Sequence, residues 1–286
     1  MREIRAEDIR APAVAGWFYP RDAARLRHAV EKLLEEAHPR YSNKPVIAAV
    51  APHAGYIYSG PTAAHVFKTL QARFSPPAAE KFSPTIVVIA PSHHEIFPFI
   101  SVFTGQSYRT PLGDVPIANE FAQALIASHP IFQADWSGHR GEHALEVELP
   151  FLQVIWPNFH LVPVVMGNQD WEFCRLLGEQ LAKLAAARVL ILASSDLSHY
   201  HSYDEAIKID ARFIQHLQAF DPQRLHQRLE NAECQACGGG PVVASMIAAK
   251  SLGADTVDIL RYQNSGDVNG EHSEVVGYLA ATFGKS

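Results

Sequence analysis

The apolar run Val189-Leu190-Ile191-Leu192-Ala193 passes directly into Ser194-Ser195-Asp196-Leu197-Ser198-His199. Five consecutive aliphatic residues are too few for a helix and suit a strand buried on both faces. Two other stretches repeat the pattern. Val46–Ala51 leads into Pro52-His53-Ala54-Gly55-Tyr56, and residues 85–90 lead into Pro91-Ser92-His93-His94. Each hydrophobic run thus switches to metal-ligand or acid/base side chains at its carboxyl end. In open α/β sheets, sites form in the crevice outside the carboxyl ends of the strands. If the three strands are parallel, their polar clusters converge on one rim.

The flanking sequence alternates in the same sense. Helical periodicity covers 23–37, where Asp22 is the expected cap and Ala23, Leu26, Val30, Leu33, Leu34 and Ala37 share a face. It recurs over 61–74, 118–128, 145–156 (kinked at Pro150), 171–187, 204–220, 222–231 and 241–252. Further strands are expected at 100–103, 160–166, 257–262 and 275–283. Strands alternating with helices imply a mostly parallel sheet covered on both faces. The loops at 39–45 and 75–84 lack the length of a linker, so one domain over residues 1–286 is expected.

Composition narrows the function. Of 286 residues, 48% are hydrophobic and 19% charged, which excludes a disordered chain. Net charge is −6 and there is no basic stripe, which argues against nucleic acid as a partner. The first ten residues mix acid and base without an apolar segment, and no apolar run approaches the roughly 18 residues of a spanning helix. No membrane association is therefore expected. Three cysteines, Cys174, Cys234 and Cys237, are an odd count that fits free thiols in a reducing cytoplasm. The 15 histidines stand out, because imidazole is both the commonest metal ligand and the acid/base of neutral pH.

Most of these histidines have an ordinary reading. His65, His129, His160, His216 and His226 lie in plain helix or loop contexts and read as surface or packing residues. Cys234 and Cys237 have CxxC spacing, but no second pair makes a zinc knuckle, and no strand directly precedes them as in a thioredoxin-type site. The run Gly238-Gly239-Gly240 lacks the Lys-Ser/Thr of a phosphate loop; its glycines admit close backbone approach, and the helix start behind it favours a thiolate at Cys237. Glu142 and Glu146 are spaced to share one helical face.

His53, His93 and Cys237 would form a His₂Cys metal set, with Asp196 and Glu142 as spare carboxylates. Two imidazoles and one anionic ligand with open positions are the pattern of non-haem iron(II) sites; a thiolate shifts preference towards Cu(I) or Zn²⁺. His199 is then the candidate general base, with Asp196 orienting its ring.

Several of these stretches occur together in a recognisable order. They are Ala15-Gly16-Trp17-Phe18-Tyr19-Pro20, Ala51-Pro52-His53-Ala54-Gly55-Tyr56, Pro91-Ser92-His93-His94, Tyr108-Arg109-Thr110-Pro111-Leu112-Gly113, Glu142-His143 with Glu146, Ser194 to His199, and Cys237-Gly238. In this order they resemble the Memo family, called AmmeMemoRadiSam system protein B in prokaryotes, over nearly the whole chain. The resemblance implies a single αβα sandwich similar to class III extradiol (LigB-type) dioxygenases. It implies metal ligation by His53, His93 and Cys237, with Cys237 where those dioxygenases carry a glutamate, and acid/base work by His199 beside Asp196. It implies iron or copper as the metal, and an AMMECR1-like protein and a radical SAM enzyme as partners.

Three functions follow as expectations. The first is a metal-dependent, dioxygenase-like oxidoreductase acting on a small organic substrate, with Fe(II) as the metal and Cu or Zn as alternatives. The second is a non-catalytic scaffold that uses the same cleft for a peptide or protein partner. The third is hydrolysis by a metal-bound hydroxide.

Overall fold

A computed structural model describes residues 4–40, 44–73, 83–185 and 189–286. Most of the expected loop at 75–84, the helix ends at Phe74, Ala186 and Ala187, and Arg188 lie outside the described residues. In chain order the elements are β1 (Ile9–Arg10), α1 (Ala23–Glu36), β2 (Val46–Ala51), α2 (Gly60–Arg73), β3 (Thr85–Pro91), β4 (Ile100–Val102), β5 (Ser107–Thr110), β6 (Gly113–Pro116), α3 (Asn119–Ser128) and β7 (Phe132–Ala134). There follow α4 (Leu149–Ile155), β8 (His160–Met166), α5 (Trp171–Leu184), β9 (Val189–Ser194), β10 (Asp196–His201), α6 (Tyr203–Gln218), α7 (Pro222–Glu230), α8 (Gly239–Ser251), β11 (Thr256–Asn264), α9 (Gly266–Asn269) and β12 (Val275–Gly284).

The chain forms an α/β fold around one large sheet ordered β10-β12-β2-β9-β3-β8-β4-β7, with β11 on the free edge of β12. Its centre, β2-β9-β3-β8, is parallel, as the alternating pattern implies. Antiparallel strands extend it on both sides, where β12 joins β2 and β4 joins β8.

The period-two alternation of the central strands feeds two separate cores. On β3, Ile86, Val88 and Ala90 face one core, and Val87 and Ile89 the other. On β9, Leu190 and Leu192 join the first, Ile191 and Ala193 the second. Leu26, Val30 and Leu34 of α1, with the apolar face of α2, cover the first. Leu177 and Leu181 of α5, with Val242 and Val243 of α8, cover the second. Strands this apolar on both faces need helices on both sides, and they have them.

The parallel register aligns the carboxyl ends. Ala51 of β2 lies opposite Ser194 of β9, and Ile89 of β3 opposite Ala193. Residues that follow these three strands therefore leave the sheet at one edge.

Two local expectations are corrected. Pro150 does not kink a helix over 145–156. It lies in the first turn of α4, where its missing N–H costs nothing, after a short 3₁₀ turn at Glu146–Glu148. Glu142 precedes that turn, so Glu142 and Glu146 do not share a helical face. Residues 196–201, for which the periodicity predicts no element, form a strand, β10, set against β12. The sequence pattern also gave no sign of the small sheet β1-β5-β6. Its hairpin turns at Gly113, whose φ of +120° a side chain would oppose.

That small sheet carries Arg10, only 1% exposed. Its guanidinium pairs with the buried Glu146 carboxylate and donates to the carbonyls of His139 and Glu142. Glu146 also accepts from the N–H groups of Ala13 and Val14 and from the Tyr19 hydroxyl. The N-terminal arm is thereby fastened to the loop that contains Glu142. No helix among the described residues is long and apolar enough to cross a membrane.

Removing one partner of a buried ion pair leaves the other charge without compensation. Arg10→Met is expected to lower the unfolding free energy by about 3–5 kcal/mol, read by denaturant titration at pH 7. A loss below about 1 kcal/mol, the range of exposed pairs, would show that the pair does not carry the arm.

Candidate metal centre

His53 follows β2 and is 1% exposed. Its backbone N–H donates to Asp196 Oδ1 at 2.9 Å. Its Nδ1 lies 2.9 Å from Ser194 Oγ, and its Nε2 lies 3.1 Å from Cys237 Sγ. Burial, with the neighbouring histidines, holds the ring well below the usual imidazole range, so it is neutral. Ser194 Oγ also lies 2.6 Å from the Ala144 carbonyl and 2.8 Å from Glu148 Oε1. One hydroxyl proton can serve only one of these acceptors. Burial pushes the Glu148 carboxyl far up, so it is protonated and donates to Ser194, which donates to Ala144. Ser194 then accepts Nδ1–H of His53, and the Nε2 lone pair faces Cys237.

Cys237 is half-buried immediately before α8. Asp196 N–H donates to Sγ at 3.2 Å, while the Cys237 N–H donates to the Asp196 carbonyl. Gln169 clamps the turn: Nε2 donates to the Cys237 carbonyl at 2.9 Å, and Oε1 accepts Gly240 N–H at 2.7 Å. A Cβ on Gly238 would lie 2.3 Å from the Ser194 carbonyl, so only glycine lets this turn reach β9. The thiolate expected from the helix start is overridden. Burial, and next the charge of Asp196, push the Cys237 thiol well above its ordinary range.

His93 follows β3 and is the solvent-facing member. Its Nδ1 meets Glu142 Oε1 at 2.9 Å, and its N–H donates to Oε2 at 2.6 Å. Burial opposes charge on both groups, but their hydrogen bond and mutual charge win: His93 is raised and Glu142 held well below the carboxylate range. This is the carboxylate–histidine arrangement that orients a metal-bound ring, leaving Nε2 for the ion.

One donor atom from each of His53, His93 and Cys237 lies within 4.8 Å of the others. The 3.1 Å between Nε2 and Sγ is the spacing of two ligands on one ion with bonds of roughly 2.0–2.3 Å. The donor set, two imidazoles and a thiol, fits a transition metal.

Asp196 and His199 stand differently from their expected pairing. Asp196 is buried and accepts from the His53 backbone; burial raises it to about 7. It does not hold the His199 ring. The ring's Nδ1 lies 2.9 Å from the Leu197 carbonyl, which fixes the proton on Nδ1 and leaves the Nε2 lone pair free. Burial first, and then the neighbouring His93, lower the proton affinity of His199, which in turn acts on His53. Next to it Tyr200 takes a left-handed φ of 61°, inside the second of two irregularities that flank His199 in the β10–β12 pairing. Such strain in a non-glycine residue is concentrated at functional sites. Asp210 holds the segment by accepting the Ser198 N–H at 3.0 Å.

The structure brings the donor atoms of His53, His93 and Cys237 within 4.8 Å, sets Asp196 on the His53 backbone and couples His199 electrostatically to the two histidines; the sequence pattern does not single out Ser194 and Glu148 as supports. Ser194 lay within the decisive stretch, but nothing local marks Glu148. The ordinary reading of His65 and His226 holds: both are buried on backbone carbonyls, of Pro61 and Gln169.

A family model described as Memo-like protein matches residues 10–282. A MEMO1 family protein of Methanopyrus kandleri is 38% identical over 286 residues, covering 96% of this chain and 98% of the relative. One from Sulfolobus acidocaldarius is 37% identical over 290 residues, covering 96% and 99%. The crystal structure of an uncharacterized protein from Escherichia coli K12 aligns with a TM-score of 0.57 at 15% identity, over 84% of this chain and 100% of that one, a likeness of fold.

Because the Cys237 thiol is protonated at neutral pH, ion binding there must release its proton. Affinity for Zn²⁺ is therefore expected to rise by at least about tenfold per pH unit between pH 6 and 8, more steeply where the raised His93 must also lose its proton, and calorimetry in buffers of different ionisation enthalpy should count the protons. Cys237→Ser should lower that slope by about one proton, leaving the share of His93. An equal slope in both proteins would place the released proton elsewhere.

Proposed function

The chain belongs to the Memo family, and from that membership and the geometry of the cleft we propose that it is a metal-dependent oxidoreductase. It acts on a small organic substrate by dioxygenase-like chemistry, with Fe(II) held by His53, His93 and Cys237. Cu and Zn are the competing ions for a set that contains a thiolate. The observation that carries this reading is the meeting of three donors from three separate segments within 4.8 Å. When bound, the ion supplies Lewis-acid and redox chemistry.

The chain's own residues do the rest. Glu142 and Ser194 fix the rings of His93 and His53, so the ligand lone pairs are set before an ion arrives. Asp196 holds the backbone of His53 and reaches Cys237 through its own N–H. His199 accepts a proton at Nε2, because Leu197 occupies Nδ1 and burial keeps the ring neutral.

Protein purified without air is expected to carry about one Fe(II) per chain, measured by element-resolved analysis. His53→Ala should abolish it. Stoichiometric iron in that variant would sink the reading. His199→Ala should keep the metal and lose turnover by about 10²–10⁴-fold in a metabolite screen.

One observation favours a second reading, a scaffold that docks a protein in the same cleft. The large hydrophobics with the most exposure are Trp17 (86%), Ile57 (72%), Ile96 (100%) and Tyr200 (72%). Ile57, Ile96 and Tyr200 follow His53, His93 and His199 by four, three and one residues, and Phe18 beside Trp17 packs 4.8 Å from the His143 ring. Exposed apolar side chains placed beside a cleft suit an interaction surface. The AMMECR1-like and radical SAM proteins are the partners to assay. Under this reading His199→Ala binds them as wild type does, Trp17→Ala binds them weakly, and no substrate turns over.

A further inference from the structure

Behind His93 lies a second set of donors, which uses neither Cys237 nor His53. The imidazoles of His93 and His143 stack at 4.8 Å between centroids and 22° between planes. Both turn Nδ1 to the same carboxylate oxygen, Glu142 Oε1, at 2.9 and 3.2 Å. The ligand atoms of His93, Glu142 and His143 lie within 4.8 Å of one another.

The surroundings of that oxygen are crowded. Besides the two ring nitrogens, Oε1 faces the backbone N–H groups of His143 at 2.8 Å and Ala144 at 3.0 Å. Four donors converge on an atom with two lone pairs. A cation between the rings and the carboxylate would replace two of those N–H donors by metal bonds. The spacings suit it: 2.9 and 3.2 Å are the separations of neighbouring ligands on an ion with bonds of roughly 2.0–2.2 Å and angles near 90–100°. Two imidazoles and one carboxylate are also a recognised ligand set for hard and borderline divalent ions.

We propose that His93, Glu142 and His143 form a second divalent-cation site, alternative to the Cys237 centre and selective for harder ions such as Mn²⁺. Oxygen ligation favours Mn²⁺, whereas thiolate ligation favours Zn²⁺ and Cu(I). The two sites exclude one another, because both need His93. A neutral imidazole has one lone pair: on Nδ1 it serves Glu142 and His143, on Nε2 it serves His53 and Cys237. The tautomer of one ring thus decides which ion class the protein holds.

The test is Mn²⁺ binding, followed by electron paramagnetic resonance in wild type, Cys237→Ser, His143→Ala and His143→Gln. Cobalt–thiolate absorbance serves as a control for the Cys237 centre and for folding. Expected are equal Mn²⁺ affinities in wild type and Cys237→Ser, and a loss of roughly tenfold or more in whichever His143 variant keeps the cobalt–thiolate band. No Mn²⁺ binding to wild type, unchanged affinity in that variant, or loss on Cys237→Ser would each overturn the site. Were wild type to lack the cobalt–thiolate band, the Cys237 centre would fail; circular dichroism would then report folding, and the Mn²⁺ comparison would still decide this site.

Discussion

The backbone ladder that joins β2, β9 and β3 in parallel is the constraint from which the cleft follows. Hydrogen bonding between parallel neighbours fixes which residues lie side by side, and here it sets Ala51 beside Ser194 and Ala193 beside Ile89. Chain leaving these strands must leave at the same edge. His53, His93 and Asp196 are separated by up to 143 positions, yet they meet because two-residue to four-residue steps carry each one off a common rim. Cys237 arrives from another direction. It is held by Gln169, by Asp196 and by a glycine turn that nothing larger could replace.

Around the three donors the protein arranges burial against hydrogen bonding in opposite ways. On the His53 side, burial wins: the ring is neutral, Glu148 keeps its proton, and Cys237 keeps its own. On the His93 side, pairing wins: Glu142 stays ionised because five donor atoms, two ring nitrogens and three backbone N–H groups, surround its two oxygens. The cleft therefore has a dry, neutral wall and a wet, charged one. An ion between them gains a preformed imidazole lone pair on one side and a carboxylate-oriented ring on the other. Arg10 extends this order outward, since its guanidinium binds the Glu142 carbonyl while pairing with Glu146.

The parts of the fold that were legible in sequence are those in which local pattern and tertiary environment agree. The central strands and most of the amphipathic helices fall within a residue or two of their expected bounds, because burial on two faces or one leaves a direct mark on residue choice. Where the mark was ambiguous, the reading failed. Pro150 suits a kink or a first turn equally, and the preceding 3₁₀ segment decided for the latter. The four-residue spacing of Glu142 and Glu146 meant nothing once the helix began after both. Asp196 and His199 looked like a pair, but strand geometry with a bulge sends the carboxylate to the His53 backbone and the ring to Leu197.

By itself the sequence determined the class of fold, the family resemblance and the identity of the candidate ligands, because apolar strands ending in histidine, aspartate and serine are local signals. Only the tertiary structure decided the roles. Whether a carboxylate orients a ring, clamps a backbone or keeps its proton depends on which distant groups surround it. For Glu142, Glu148 and Asp196, those groups come from segments 41 to 143 residues away. Hydrogen bonds and desolvation act over a few ångströms of space, whereas a sequence records only separation along the chain.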